Sequence, residues 1–132
     1  RWLSDWSSDV CSSDLEKQNR SYAHDKLKTG AKEARLRYRL IASSDNYFLL
    51  EIELLTGRHH QIRCQLSAIG CPIKGDLKYG APRSNPDGGI SLHARSVRFT
   101  HPVKKEEIFI VAEPPVDNIW NYFKKIATEA GF

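Results

Sequence analysis

The chain has 132 residues, 40% of them hydrophobic and 27% charged, with a net charge of +4. That is enough for one soluble domain with a modest core. No apolar run approaches the ~20 residues of a membrane helix, and the start lacks the basic and apolar regions of a signal peptide. Three cysteines make no disulfide framework, so a reducing, cytoplasmic setting is expected. The surplus of positive charge points to an anionic partner.

Residues 1–15, RWLSDWSSDVCSSDL, read unlike the rest. Ser-Ser-Asp occurs twice and neither a helical nor a strand period is visible. From Asp5 to Leu15 the residues resemble the translation of a common short-read sequencing adapter. The segment is therefore expected to be an artefactual or disordered tail and is set apart from the fold. Residues 16–132 then form the genuine domain. Without one arginine and three aspartates of the tail, the net charge rises from +4 to +6.

Residues 16–33 are polar and predict a surface segment. From Ala34 the pattern alternates, with Leu36, Tyr38 and Leu40 against Arg35, Arg37 and Arg39. That predicts a half-buried strand with a basic outer face. Ser43-Ser44-Asp45-Asn46 is turn chemistry. Tyr47 to Leu55 predicts a second strand, with Phe48, Leu50, Ile52 and Leu54 on one side and Glu51 and Glu53 on the other. The two should form an antiparallel hairpin with arginine and glutamate paired across it.

After Thr56-Gly57 the period lengthens. Ile62, Leu66 and Ile69 have helical spacing, and Gly70 before Cys71-Pro72 is a stop. A helix from His60 to about Ile69 follows, with Arg58 and His59 at its mouth. Residues 75–89 predict a glycine- and proline-rich loop. Ser91–Phe99 and Glu107–Val111 predict strands around a turn at His101-Pro102. Val116, Ile119, Trp120, Phe123, Ile126 and Ala127 form the stripe of a last helix, capped by Asp117 and packed on the sheet. The fold class is α+β with a mainly antiparallel sheet.

Four chemistries compete for Thr56–Gly80. Zinc would use His59, His60, Cys64 and Cys71. Yet adjacent histidines leave a helix about 100° apart, and Cys64 has no Cys-x-x-Cys partner. The glycines fit neither phosphate-loop fingerprint. No nucleophile elbow is present for hydrolysis. Nucleic-acid contact remains. Arg58, Arg63, Lys74, Lys78, Arg83, Arg95 and Arg98 gather on loops and at the helix start, where guanidinium and backbone N–H groups suit phosphates. A solvated basic face is the plain alternative.

The motifs carry more than charge. T-G-R-H-H-Q-I-R at Thr56–Arg63, G-D-L-K-Y-G at Gly75–Gly80, L-H-A at Leu92–Ala94 and F-T-H-P at Phe99–Pro102 together resemble the C-terminal half of the RluA-type RNA pseudouridine synthases. The resemblance implies an isomerase that converts uridine to pseudouridine in structured RNA, rRNA or tRNA. It implies no cofactor and no metal; a monomer without a membrane partner is expected besides. In such enzymes the essential group is an aspartate, and an arginine pairs with it. Carried over, that arginine is Arg63, with Ile62 beneath the target base. Arg58, His59, His60, Gln61, Lys74, Lys78 and Arg95 would meet RNA. Asp76 and Tyr79 are expected to shape their turn, and His93 and His101 to be structural. His60 can be read either as an RNA contact or as a structural histidine. The family's H-R-L-D-type element, which carries its aspartate, does not occur in the sequence. Hence Arg63 is expected to lack a carboxylate partner within this chain, and the chain is expected to be inactive alone. A non-catalytic RNA-binding module is the alternative of another class, and a basic structural domain the weaker third.

Overall fold

The computed structural model describes residues 6–16, 20–24 and 32–131. It divides into two compact units, residues 1–91 and 92–132. In the first, strands β1 (Ser7–Glu16), β2 (Arg20–His24), β3 (Lys32–Ser43) and β4 (Phe48–Leu54) build a four-stranded antiparallel sheet in the order β2-β1-β3-β4. Helix α1 (Gln61–Ala68) lies beside β1 and β2. A short 3₁₀ turn, Leu77–Tyr79, follows.

The hairpin forms as the alternation predicts. Leu36 stands opposite Leu54, Tyr38 opposite Ile52, and Leu40 opposite Leu50. On the other face Arg37 faces Glu53 and Arg39 faces Glu51, each pair joined by a side-chain hydrogen bond. A bulge between Leu40 and Ala42 shifts the register, so Ile41 and Ala42 are both buried. An extra residue on one strand turns successive side chains out of simple alternation. Phe48 and Leu54 remain exposed, so only part of the apolar face is core. Ala34, Leu36, Ile41, Cys64, Leu66, Ile73, Tyr79 and Ala81 form that core.

Residues 1–15 were set outside the fold, but the structure places Ser7–Glu16 inside the sheet. Ser7 through Ser13 pair with Tyr38 through Lys32, and Ser12 through Glu16 pair with His24 through Arg20. The Trp6 ring lies 5.0 Å from the Arg37 guanidinium and 4.5 Å from that of Arg39, within cation–π range. Strand pairing uses backbone N–H and C=O groups, which a polar sequence carries as fully as an apolar one. The edge of β3 offers such groups to any extended neighbour. Adapter resemblance concerns where the segment comes from; the sheet concerns where it lies. Within 16–33, expected as surface, Glu16 closes β1, Arg20–His24 form β2, and Lys32 and Glu33 open β3. The remainder lies outside the described residues.

Helix α1 ends as expected. Gly70 is left-handed (φ 87°), and Cys71 N–H donates to the Leu66 carbonyl at 2.8 Å, which is the Schellman closure.

The second unit pairs β5 (Ser96–Thr100) with β6 (Glu107–Val111) antiparallel, followed by α2 (Asn118–Glu129). Asp117 caps α2 by accepting from Trp120 N–H at 2.7 Å. Phe123 is its buried residue, and Trp120 sets its ring edge to His93. Strand β5 starts at Ser96 instead of Ser91. Ser91 N–H instead serves the Lys74 carbonyl at 2.9 Å.

Candidate active site

The site grows from the chain's exit out of β4. Thr56 Oγ1 accepts from Arg35 N–H (2.9 Å) and donates to Gln61 Oε1 (2.8 Å). Gln61 Oε1 also accepts from Arg58 N–H (2.9 Å), and its Nε2 donates to the Arg35 carbonyl (2.9 Å). One buried amide thus stitches the turn and the start of α1 to strand β3. This corrects the expectation that Gln61 meets RNA: it is 4% exposed and its amide is spent on the scaffold.

His60, just before α1, is left-handed (φ 50°, ψ 28°). Few residues other than glycine sit there, histidine more often than most. Its side chain makes no cap for the helix. It turns instead toward the loop after α1. His60 Nδ1 lies 2.7 Å from the Tyr79 hydroxyl, and Nε2 lies 3.2 Å from Arg63 Nη1. His59, exposed, stacks on the His60 ring at 3.7 Å.

Arg63 stands on the same face, three residues further on. Its Nε and Nη2 donate to the two carboxylate oxygens of Asp76 at 2.8 and 2.7 Å. This overturns the expectation that Arg63 lacks a carboxylate partner in this chain. Asp76 is 1% exposed and Arg63 21%. The hydrogen bond to Asp76, above all, raises the affinity of Arg63 for its proton. The guanidinium also lies 4.8 Å from the Tyr79 ring centre.

The loop is built to present Asp76. Gly75 is left-handed (φ 87°), and a Cβ there would sit 2.6 Å from Asn85 Nδ2 and from the Gly89 carbonyl. Only glycine fits. Asp76 N–H donates to the Ile73 carbonyl, while its own carbonyl accepts from Tyr79 and Ala81 N–H. The expected turn-shaping role is therefore present, and the Arg63 pair is added to it. Ser67 Oγ donates to the Tyr79 carbonyl, tying the loop back to α1. Tyr79 is 2% exposed.

Burial, first, holds the His60 pKa below its ordinary value. Arg63, His59 and Lys78 push the same way, and Asp76 opposes them. The imidazole is thus kept neutral where a free histidine would begin to charge.

The other expected residues are placed as follows. Ile62 is half-buried on α1. Arg58 is exposed at the mouth, its Nε donating to the Glu33 carbonyl (2.8 Å). Lys78 is exposed on the 3₁₀ turn. Lys74 is half-buried and donates to Asn85 Oδ1 (2.6 Å), so it braces the loop. Arg95 lies in the second unit and donates to the Ala112 carbonyl (2.8 Å). His93 meets that carbonyl at 2.9 Å, and His101 Nδ1 accepts from Val103 and Lys104 N–H; both rings are engaged with local backbone groups. Among the described residues no three histidine, cysteine or carboxylate side chains gather as metal ligands, and no helix is long and apolar enough to cross a membrane. Sequence reasoning missed Asp76 as the partner of Arg63. The sequence signal was the Gly75-Asp76 step of the G-D-L-K-Y-G motif.

A solved chain of the human RNA pseudouridylate synthase domain containing 4 superposes with a TM-score of 0.63 over 93% of this chain and 56% of its own, at 20% identity. That likeness establishes the fold, an α+β architecture shared with part of that domain. Residues 4–68 match the family described as RNA pseudouridylate synthase. The kinship is with RNA pseudouridine synthases. The match runs through residues 4–15 as well as the Thr56–Arg63 motif. An uncharacterised RNA pseudouridine synthase of Synechocystis is 37% identical over 100 residues, 69% of this chain and 34% of that protein. Ribosomal large subunit pseudouridine synthase D of Xylella fastidiosa is 34% identical over 116 residues, 78% of this chain and 35% of that protein. The chain therefore spans about a third of the length of these curated relatives.

Proposed function

We propose that the chain is the arginine-bearing part of an RNA pseudouridine synthase acting on structured rRNA or tRNA in the cytoplasm, as a monomer without cofactor. The observation that carries this reading is Arg63. It is held on α1 by a buried carboxylate, within the segment 4–68 that matches the RNA pseudouridylate synthase family. In that reaction the uridine base leaves its sugar, turns and rejoins through carbon, so atoms balance within one nucleotide. An aspartate performs the chemistry, and Arg63 would keep it ionised and aimed. Ile62 would support the base. Arg58, His59 and Lys78, all exposed around the mouth, would hold phosphates and offset the few kcal/mol of unstacking the target.

The chain alone is proposed to be inactive. Of the aspartates whose side chains are described, Asp76 is the one that touches Arg63. Buried and bound through both oxygens, it cannot reach a sugar or a base. The test is to incubate the chain with bulk ribosomal and transfer RNA beside the full-length Xylella relative. RNA retention is followed against salt and pseudouridine is mapped chemically. The expected result is salt-sensitive binding with no new pseudouridine. Site-specific conversion would place the catalytic carboxylate within this chain. No retention at low salt would reduce it to a basic structural domain.

A further inference from the structure

Arg63 meets the carboxylate of Asp76 side-on, through Nε and Nη2. Its Nη1 faces His60 Nε2 at 3.2 Å. A guanidinium has only N–H groups and accepts nothing. His60 Nε2 must therefore present a lone pair to it. A neutral imidazole without a proton on Nε2 carries it on Nδ1. Nδ1–H then donates to the Tyr79 hydroxyl oxygen, 2.7 Å away. The geometry alone selects the Nδ1–H tautomer, and a protonated ring would aim an N–H at Arg63.

Of the five N–H groups of Arg63, Nε–H, one on Nη2 and one on Nη1 are engaged. We propose that Asp76 and His60 are positioning residues, which fix the Arg63 guanidinium from two sides and leave one N–H on Nη1 and one on Nη2 to receive a second carboxylate. This deepens the pseudouridine synthase reading and rests on it, since the second carboxylate is the catalytic aspartate. It also changes what the arginine does. Asp76 already balances its charge, so the incoming aspartate is oriented by a fixed fork more than drawn in by surplus positive charge. Lys78, exposed on the 3₁₀ turn, and His59, stacked on His60, are the nearby groups that can also carry positive charge. Asp76 is the nearby acidic group.

The test is nitrogen NMR of the arginine and histidine side chains in the full 132-residue chain. It needs neither RNA nor turnover, so its failure is separable from failure of the functional reading. At pH 7.5 the native chain should show Arg63 Nη protons resolved by hindered rotation, and His60 as the neutral Nδ1–H tautomer. Asp76→Asn, with the backbone amide spectrum otherwise retained, should lose that hindrance and give the averaged signal of a freely rotating guanidinium. Arg63→Lys should release His60 Nε2 from its contact and shift its nitrogen signal, while keeping the charge. A His60 Nε2–H tautomer, or a freely rotating Arg63 in the native chain, would overturn the proposal. So would an unchanged Arg63 signal in Asp76→Asn. If that variant does not fold, the native-chain signals decide alone.

Discussion

The hairpin face and the candidate site both pair arginine with carboxylate, and they do so under different physics. Arg37–Glu53 joins neighbouring strands with side chains 39% and 44% exposed. Arg63–Asp76 joins a helix to a loop, with Asp76 at 1%. Water and mobile ions screen the first pair, and its contribution is about 0–1 kcal/mol. The second has lost most of that screening. It is not a source of stability so much as a commitment: once Asp76 is buried, Arg63 must stay. One arrangement decorates a surface, while the other fixes a side chain.

The largest effect expected comes from the sheet on which both regions hang. Gln61 binds the Arg35 carbonyl, so the site is anchored to β3, and β3 is paired on its other side by β1. Deleting residues 1–16 should abolish cooperative melting, followed by circular dichroism. An unchanged melting curve would return the segment to the status of an adapter-derived tail and leave the hairpin self-sufficient.

Next in size is Arg63→Ala, which strands the Asp76 carboxylate. Chemical denaturation should show a loss of about 3–5 kcal/mol. A loss under 1 kcal/mol would make the two arginine pairs equivalent. Arg37→Ala is the matched control, with about 0–1 kcal/mol expected and the difference shrinking further in molar salt.

The smallest effect is pH-dependent. The folded His60 pKa lies below its ordinary value of 6.5, so the unfolded chain binds the proton more readily. Stability is then full above about 6.5 and falls as the pH drops from there through the lowered folded value. His60→Gln should flatten the slope of melting temperature between pH 7.5 and 5. A slope of the opposite sign would mean that His60 is held protonated instead.

The contrast also explains what was legible. The hairpin wrote itself in alternation, because each residue's face follows from its parity. Gly70 announced the end of α1, and Asp117 the start of α2. The α+β class and the family's four motifs were equally visible. Strand β1 was not, since its pairing rests on backbone groups and its sequence shows no apolar alternation. The bulge at Leu40/Ala42 was silent for the same reason. Within the site, Arg63 was marked by its motif, yet Asp76 lies 13 residues away on a loop whose shape is set by Gly75 and by contacts from Asn85 and Gly89. No local period encodes such a meeting. Gln61 was misplaced because a polar residue beside a basic mouth looks exposed until its amide's bonds to two backbone groups and to the Thr56 hydroxyl are seen.

The central claim is that Thr56–Gly80 forms the arginine wall of a pseudouridine-forming site. It is tested most directly by transplanting residues 56–80 in place of the corresponding segment of the full-length Xylella relative. The chimera should convert uridine to pseudouridine. Arg63→Lys in it, which keeps a cation beside Asp76 but loses the planar fork, should lower turnover about 10²-fold, the scale of a misplaced catalytic group. Its RNA affinity and melting temperature should hold. Full turnover at saturating RNA with weakened binding would contradict the claim, because Arg63 would then be one more phosphate contact.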